Sequence, residues 1–409
     1  MKKLIGSFNQ LLTMRGLASH GAISNEEIEI IQDAGILVEG DKIIEIGNFE
    51  TLYQKTKQEA VEIVEIVGDT VVLPGFVDSH THICYAGSRA KDYNMRIAGK
   101  TYLEIAATGG GIKESVAKTR AASQEELEKG ILMRANRQLR EGITTCEVKS
   151  GYGLSVKEEL KMLRAIKNIN QKHNLELVAT CLAAHIVPSE FENADEYLTH
   201  IVTDLFPILK SERLCNRIDA FVEESAFGVK SARKYLQTAK NQGFDLTIHA
   251  DQFSAGGSAL ACELGALSAD HLEASGEAEI QQLAKSNTVA TVLPGASLGL
   301  GIPFSPARKL LDAGCSLAIA TDWNPGSAPM GDLLLQAALL GAYEKISAAE
   351  TFAGITFRAA KALNLEDRGI LEEGKKADFV IFPCADYREI LYHQGTLKPS
   401  QVFKNGLGQ

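Results

Sequence analysis

Five of the nine histidines in this chain of 409 residues stand where a short apolar run ends: His80, His82, His185, His249 and His271. Asp322 follows another such run, Lys149 and Tyr152 follow a third, and Glu223-Glu224 a fourth. Imidazole and carboxylate are the side chains that hold divalent metals and move protons near neutral pH. Their recurrence at run ends therefore points to metal-assisted or acid–base chemistry. His80-Thr-His82 has the spacing of two side chains on one face of a strand. Taken alone, that pair fits two surface histidines as well as two ligands. His249 alone fits a buried structural histidine, and Asp322 alone a turn or helix cap.

The elements around these residues decide between the readings. Eight apolar runs, at 71–77, 143–148, 177–184, 218–222, 246–250, 267–270, 289–293 and 317–321, alternate with amphipathic helical stretches. Ser123-Gln-Glu-Glu126 is a capping box ahead of Leu127, Ile131, Ala135 and Leu139. Ser155-Val-Lys-Glu158 has the same form ahead of Leu160, Leu163, Ile166 and Ile169. Eight β–α units predict an α/β fold, a (β/α)8 TIM-like barrel spanning 71–365. In such a barrel the reactive side chains stand at the C-terminal ends of the strands, which is where the histidines, Asp322 and Tyr152 fall. The first 70 residues read as β-rich, with a hairpin turning at Glu39-Gly40-Asp41. A second β signal lies at 377–382. Residues 1–70 and 366–409 are expected to form one small β-sandwich domain from both chain ends.

In this setting 73–82, Leu-Pro-Gly-Phe-Val-Asp-Ser-His-Thr-His, resembles the first barrel strand of the amidohydrolase superfamily. More narrowly, the whole chain resembles the imidazolonepropionase family, through Asp367-Arg-Gly-Ile-Leu-Glu-Glu-Gly-Lys-Lys-Ala-Asp378 and through the segment 87–112. That segment holds Gly87-Ser-Arg89, Arg96, Tyr102-Leu-Glu104-Ile105 and Gly109-Gly-Gly-Ile112. The resemblance implies one divalent metal ion, Zn or Fe, held by His80, His82, His249 and Asp322, with open positions for water. Binuclear relatives carry a carboxylated lysine at the end of the fourth strand. Glu223 and Glu224 stand there instead, so a single ion is expected. Lys149, on the second strand, reads as a structural or substrate-side charge.

The resemblance also implies the substrate, 4-imidazolone-5-propanoate, opened to N-formimidoyl-L-glutamate in histidine degradation. Arg89 suits its carboxylate, because a guanidinium fork matches one. Tyr152, His185, Asn324, Gly326 and Ser327 are implied as substrate or product contacts. Asp322 is expected to accept the water proton, and His271 to stabilise the oxyanion or orient the nucleophile. Gln252 stands three residues after His249, where ring deaminases of the superfamily place a glutamate. An amide cannot shuttle a proton, which disfavours a deaminase of a cyclic or guanidino substrate. A non-catalytic barrel scaffold is disfavoured because all four ligand types are present.

Composition sets the outer limits. The net charge is −10 with no basic run, which argues against nucleic acid or an anionic membrane surface as partner. The seven cysteines show no C-x-x-C spacing, which predicts free thiols in a reducing, cytoplasmic setting. No membrane-spanning run is visible, so the expected partner is a small molecule. A homodimer is expected from the resemblance alone.

Overall fold

Gly75 divides the first apolar run between two sheets. In the computed structural model, which describes residues 2–100, 104–105 and 108–409, the run at 71–77 is two strands and not one. Among the described residues there are sixteen strands. Strand β5 (Val71–Pro74) joins the sheet built from the chain ends, and β6 (Phe76–Asp78) opens the barrel. At the break, Gly75 donates to the Asp378 carbonyl and Phe76 to the Gly142 carbonyl, both at 2.9 Å. A Cβ at position 75 would lie 2.4 Å from Thr144 Oγ1, so only glycine lets the backbone cross this close to the barrel.

The end sheet contains β1 (Lys2–Leu12), β2 (Ile30–Glu39), β3 (Lys42–Asn48), β4 (Val61–Glu65), β5, β14 (Phe379–Phe382), β15 (Gln401–Lys404) and β16 (Leu407–Gly408). The 39–41 hairpin forms as expected, with Glu39 opposite Lys42. β5 is the seam: it pairs in parallel with β1 and antiparallel with β14. Ile5, Phe8, Leu11, Ile36, Phe379 and Phe403 pack over the sheet in one apolar cluster.

The barrel runs in sequence order through β6, β7 (Ile143–Lys149), β8 (Glu176–Ala184), β9 (Arg217–Val222), β10 (Asp245–Ala250), β11 (Ser268–His271), β12 (Val289–Val292) and β13 (Leu317–Ile319). Every neighbouring pair is parallel. The last gap closes just beyond the strands: Asp322 N–H donates to the His80 carbonyl and His82 N–H to the Trp323 carbonyl, each at 3.0 Å. The backbone that shuts the barrel thus fixes the register of His80, His82 and Asp322.

The helices follow their apolar stripes. Ser123 caps Gln124–Arg140 with the full capping box, and Leu127, Ile131, Ala135 and Leu139 are buried. A fully buried leucine contributes about 1.5–3 kcal/mol, so these stripes hold the helices to the strands. At Val156–Asn170, Ser155 caps the Glu158 N–H, but the reciprocal half of the expected box is missing. The Glu158 carboxylate pairs with Lys161 at 2.5 Å instead. All seven cysteines are free, and among the described residues no helix is long and apolar enough to cross a membrane.

Candidate metal centre and substrate cavity

Four donor atoms from three strand ends converge at the barrel mouth. His82 Nε2 lies 3.3 Å from His80 Nε2 and 3.2 Å from His249 Nε2. Asp322 Oδ1 lies 3.5 Å from His80 Nε2 and 3.3 Å from His82 Nε2. Nitrogen or oxygen donors about 2.0–2.1 Å from a tetrahedral ion sit about 3.3–3.4 Å apart, so the spacings among His80, His82 and Asp322 suit one ion, with His249 beside His82.

The proton positions on two histidines point the same way. Asp270 Oδ2 lies 2.7 Å from His80 Nδ1, and Asp219 Oδ2 lies 2.9 Å from His249 Nδ1. With His80 Nδ1–H donated to Asp270 and an Asp219 oxygen beside His249 Nδ1, the Nε2 atoms of both rings face inward, each with a lone pair when its ring is neutral. Inward lone pairs this close repel unless a cation sits between them. Burial and the nearby Lys149 both oppose a charged His80, yet Asp270 and Asp322 hold its pKa up at about 9. Burial disfavours the charged Asp322 carboxylate, but hydrogen bonds from His80 and His82 keep it well below the usual range. The site is built to stabilise positive charge, and the residues present fit a divalent metal.

His271 ends β11 with its ring 5.3 Å from that of His249 and 5.8 Å from that of His80. Its ring nitrogens reach the same donor cluster as His80 and His249. Its backbone φ is +90°, and that of Leu272 is +71°.

A cavity of about 350 Å3 opens over these donors, lined by Arg89, Tyr152, His185, Gln252, His271, Asn324 and Ser327 among others. Arg89 precedes the helix Ala90–Ile97, and its Nε donates to buried Asp92 at 2.8 Å. Among the described residues its two terminal guanidinium nitrogens make no hydrogen bond, which leaves them for a ligand. Gly326 packs beneath this fork, where a Cβ would lie 2.4 Å from Arg89 Nη1. Tyr152 and His185 stand side by side, ring centroids 5.5 Å apart, each near His82. Burial pushes the His185 pKa down to about 3, so its imidazole is neutral. Its Nδ1–H donates to the Gly151 carbonyl at 2.9 Å, leaving Nε2 as an acceptor. The Gln252 side chain makes no hydrogen bond among the described residues and faces the cavity.

Asn324, Gly326 and Ser327 form one turn. Asn324 Nδ2 donates to Asp322 Oδ2 at 2.8 Å, and its Oδ1 accepts the N–H groups of Gly326 at 2.7 Å and Ser327 at 2.8 Å. Asn324 therefore steadies the Asp322 carboxylate, and the Gly326 N–H is already engaged. Tyr102 and Leu103 of the 102–105 pattern lie outside the described residues. Glu223 turns away from the donor cluster: its carboxylate takes the N–H groups of Phe253 and Ser254, at 2.9 and 3.3 Å, and the Ser254 hydroxyl. Lys149 lies below the ligands, fully buried.

Several supporting residues escaped the reading of the sequence. Glu159 accepts the N–H groups of Gly151, Gly153 and Leu154, and so shapes the loop carrying Tyr152. Asp92 holds Arg89 and the Gly111 N–H together. Asp219 and Asp270 orient two histidines. A usable signal existed: Glu159 sits on the buried stripe of its helix with Leu163 and Ile166, and both aspartates interrupt apolar strands. A charge placed where burial is expected needs a partner.

Comparison with known proteins agrees with this architecture. The sequence model of the Amidohydrolase family matches residues 71–407. An imidazolonepropionase of Fusobacterium nucleatum subsp. nucleatum is 40% identical over 403 residues, covering 98% of this chain and 97% of the relative. One from Bdellovibrio bacteriovorus is 39% identical over 408 residues, covering 98% and 95%. Among solved structures, an adenosine deaminase from Xanthomonas campestris with bound zinc superposes with a TM-score of 0.70 at 18% identity, over 99% of this chain and 92% of that one. A triazine hydrolase variant gives 0.74 at 18% identity, over 100% and 94%. At that identity these two speak for the barrel alone, whereas the sequence relatives are near enough to place the chain: it belongs to the imidazolonepropionase family of amidohydrolases.

Proposed function

We propose that this metal-dependent hydrolase opens the ring amide of 4-imidazolone-5-propanoate to give N-formimidoyl-L-glutamate, a step of histidine degradation. The observation that carries the reading is the placement of Arg89 with His82, His249 and Asp322 on one small cavity, with His80 directly behind His82 and Asp322. A ring amide can sit at the donors while its propanoate tail meets the guanidinium. The four side chains would hold one divalent ion, Zn or Fe, since imidazole and carboxylate suit either. When bound, the ion supplies Lewis acidity that makes water nucleophilic near neutral pH and polarises the ring carbonyl.

The chain's own residues do the rest. Arg89 pairs with the carboxylate tail and fixes the ring over the donors. Tyr152 and neutral His185 border the ring and offer hydrogen bonds without adding charge. Gln252 matches the ring amide with one donor and one acceptor. Asp322, steadied by Asn324, takes a proton from the attacking water and returns it to the ring nitrogen as the C–N bond breaks. His271 donates toward the carbonyl oxygen, where negative charge gathers. Asn324, Gly326 and Ser327 would border the newly formed carboxylate of the product.

Residues 71–365, apart from β5, would act as the catalytic domain, with 1–70, β5 and 366–409 as the small β domain, in a cytoplasmic homodimer whose stoichiometry sedimentation would check. The test of function is direct. Metal-loaded protein is mixed with 4-imidazolone-5-propanoate freshly made by urocanase, and formimidoylglutamate is followed. No turnover by a metal-replete sample overturns the substrate. Ammonia release from cytosine or guanine would favour the deaminase reading instead.

A further inference from the structure

Beneath the donor cluster lies a buried ion network that the reaction itself does not use. Lys149, at the end of β7, is fully buried. Its Nζ lies 2.8 Å from Glu147 Oε2, 2.8 Å from Asp219 Oδ2 and 3.6 Å from Asp270 Oδ2. The two aspartates continue outward to His249 Nδ1 and His80 Nδ1, at 2.9 and 2.7 Å. Glu147 has its own anchors, the Thr180 hydroxyl at 2.5 Å and Arg217 at 3.6 Å. One ammonium is thus joined, through two carboxylates, to histidines on opposite sides of the barrel mouth.

We propose that Lys149 is a positioning residue for the metal centre: its ammonium, between Asp219 and Asp270, holds the two carboxylates against the Nδ1 sides of His249 and His80, so that the Nε2 of each ring is presented to the ion. The proposal rests on the reading of those histidines as ligands. Its logic is electrostatic. Two buried carboxylates drawn to one ammonium repel each other once it is removed, and one or both must then swing away from its histidine. That movement costs an imidazole the carboxylate that orients its ring. Charge balance fits the same picture. Glu147, Asp219, Asp270 and Asp322 outnumber Lys149 and Arg217 by two negative charges, which one divalent cation neutralises. Lysine suits this place because a compact ammonium can meet three carboxylates arranged around a point, whereas the planar arginine fork matches carboxylates in its own plane.

The experiment compares zinc affinity, by chelator competition, and the hydrogen-bonded imidazole N–H resonances of 15N-histidine-labelled, zinc-loaded protein. Lys149→Met is expected to weaken zinc binding about 10- to 100-fold, the usual effect of removing an outer partner of a metal ligand. It should also shift or abolish the Nδ1–H resonance of His80 or His249. Lys149→Arg should recover part of the affinity. In an Asp219→Asn/Asp270→Asn background, Lys149→Met should add little. Lys149→Gln, which keeps donors without the charge, carries the test if the methionine variant does not fold. Wild-type zinc affinity with both resonances unchanged in a folded neutral variant overturns the proposal. So does failure of both neutral variants to fold beside a normal Lys149→Arg, since the charge would then serve folding. A wild-type chain that binds no zinc or iron would instead overturn the metal reading on which the proposal stands.

Discussion

Glu159 accepts a hydrogen bond from the Gly153 N–H at 2.8 Å, and through that contact a barrel helix shapes the cavity wall. The same carboxylate takes the N–H groups of Leu154 at 2.7 Å and Gly151 at 3.0 Å. Gly151 in turn accepts the Nδ1–H of His185. Its φ of +106° and a prospective Cβ contact of 2.9 Å with the Leu182 carbonyl keep this corner to glycine. Glu159→Gln replaces one acceptor with an NH2 group facing backbone donors. A buried N–H left unsatisfied costs about 1–3 kcal/mol, here by loosening the loop that presents Tyr152. KM should rise about tenfold or more while metal content stays at the wild-type level. Loss of metal with unchanged KM would show that the loop serves the ligands instead of the substrate.

Arg89 should be needed for its shape as well as its charge. Asp92 holds Nε, so the remaining guanidinium edge is aimed before substrate arrives. A charge-assisted bond contributes about 1.5–3 kcal/mol, so Arg89→Met should lower kcat/KM roughly 10- to 100-fold, mostly through KM. Arg89→Lys keeps the charge but loses the Asp92-held fork, and should recover only a small part. Steady-state kinetics on both variants check this, and full recovery by lysine would show that a point charge suffices.

The barrel and its reactive rim were legible because they are periodic. Apolar runs give parallel strands, Ser-x-x-Glu signals mark helix starts, and the rim residues follow from strand ends. The division at Gly75 was not legible, since residues 71–77 are continuously apolar and both resulting strands are buried. Only the approach of Thr144, distant in sequence, requires the break. The inward residues of the site could be named individually. Lys149 reads as a structural or substrate-side charge, but its partners Asp219 and Asp270, on two other strands, and Glu159, on a helix, could not be named. Their partners are set by tertiary packing and carry no fixed spacing in the chain.

Metal removal should cost stability as well as activity. The Nε2 atoms of His80, His82 and His249 crowd one another and Asp322, and must share protons or move apart when no ion is present. A ligand that binds only the folded chain stabilises it by mass action, about 4 kcal/mol at a thousandfold excess over Kd. The metal-stripped protein should melt several degrees lower, and one equivalent of Zn(II) or Fe(II) should restore the transition. A titration that saturates at two ions per chain, with full activity only then, would overturn the single-ion site.

Acid stability should depend on Glu176, at the start of β8, where the barrel meets the chain's C-terminal part. Burial disfavours its charge, but Arg368, Lys376 and Lys404 hold its pKa at about 2. An unfolded glutamate titrates near about 4.3. The folded value is the lower one, so the stabilisation is fully present above pH about 4.3 and fades as pH falls toward 2. At neutral pH it contributes on the order of 2 kcal/mol. Glu176→Gln should melt a few degrees below wild type at pH 7, and the two curves should converge between pH 4 and 2. A constant gap across that range would assign the loss to packing instead of charge.

His271 combines a strained backbone with a reactive position, and two substitutions separate these properties. Its φ of +90° is costly for any residue with a Cβ, on the order of 1–3 kcal/mol, and nearly free for glycine. The imidazole, by contrast, is lost equally in His271→Gly and His271→Ala. Both variants should therefore lose kcat by about 100- to 1000-fold if the ring stabilises developing charge on the carbonyl oxygen. The glycine variant should nevertheless be the more stable of the two, by about 1 kcal/mol. Metal content decides what kind of residue His271 is. Unchanged metal with depressed kcat assigns the ring to the transition state. Parallel loss of metal in both variants would make it a fifth ligand, consistent with its reach to the donors of His80 and His249. Equal stability of the two variants would mean that the β11 end relaxes once the ring is gone, so the strain would belong to the imidazole's placement and not to the turn.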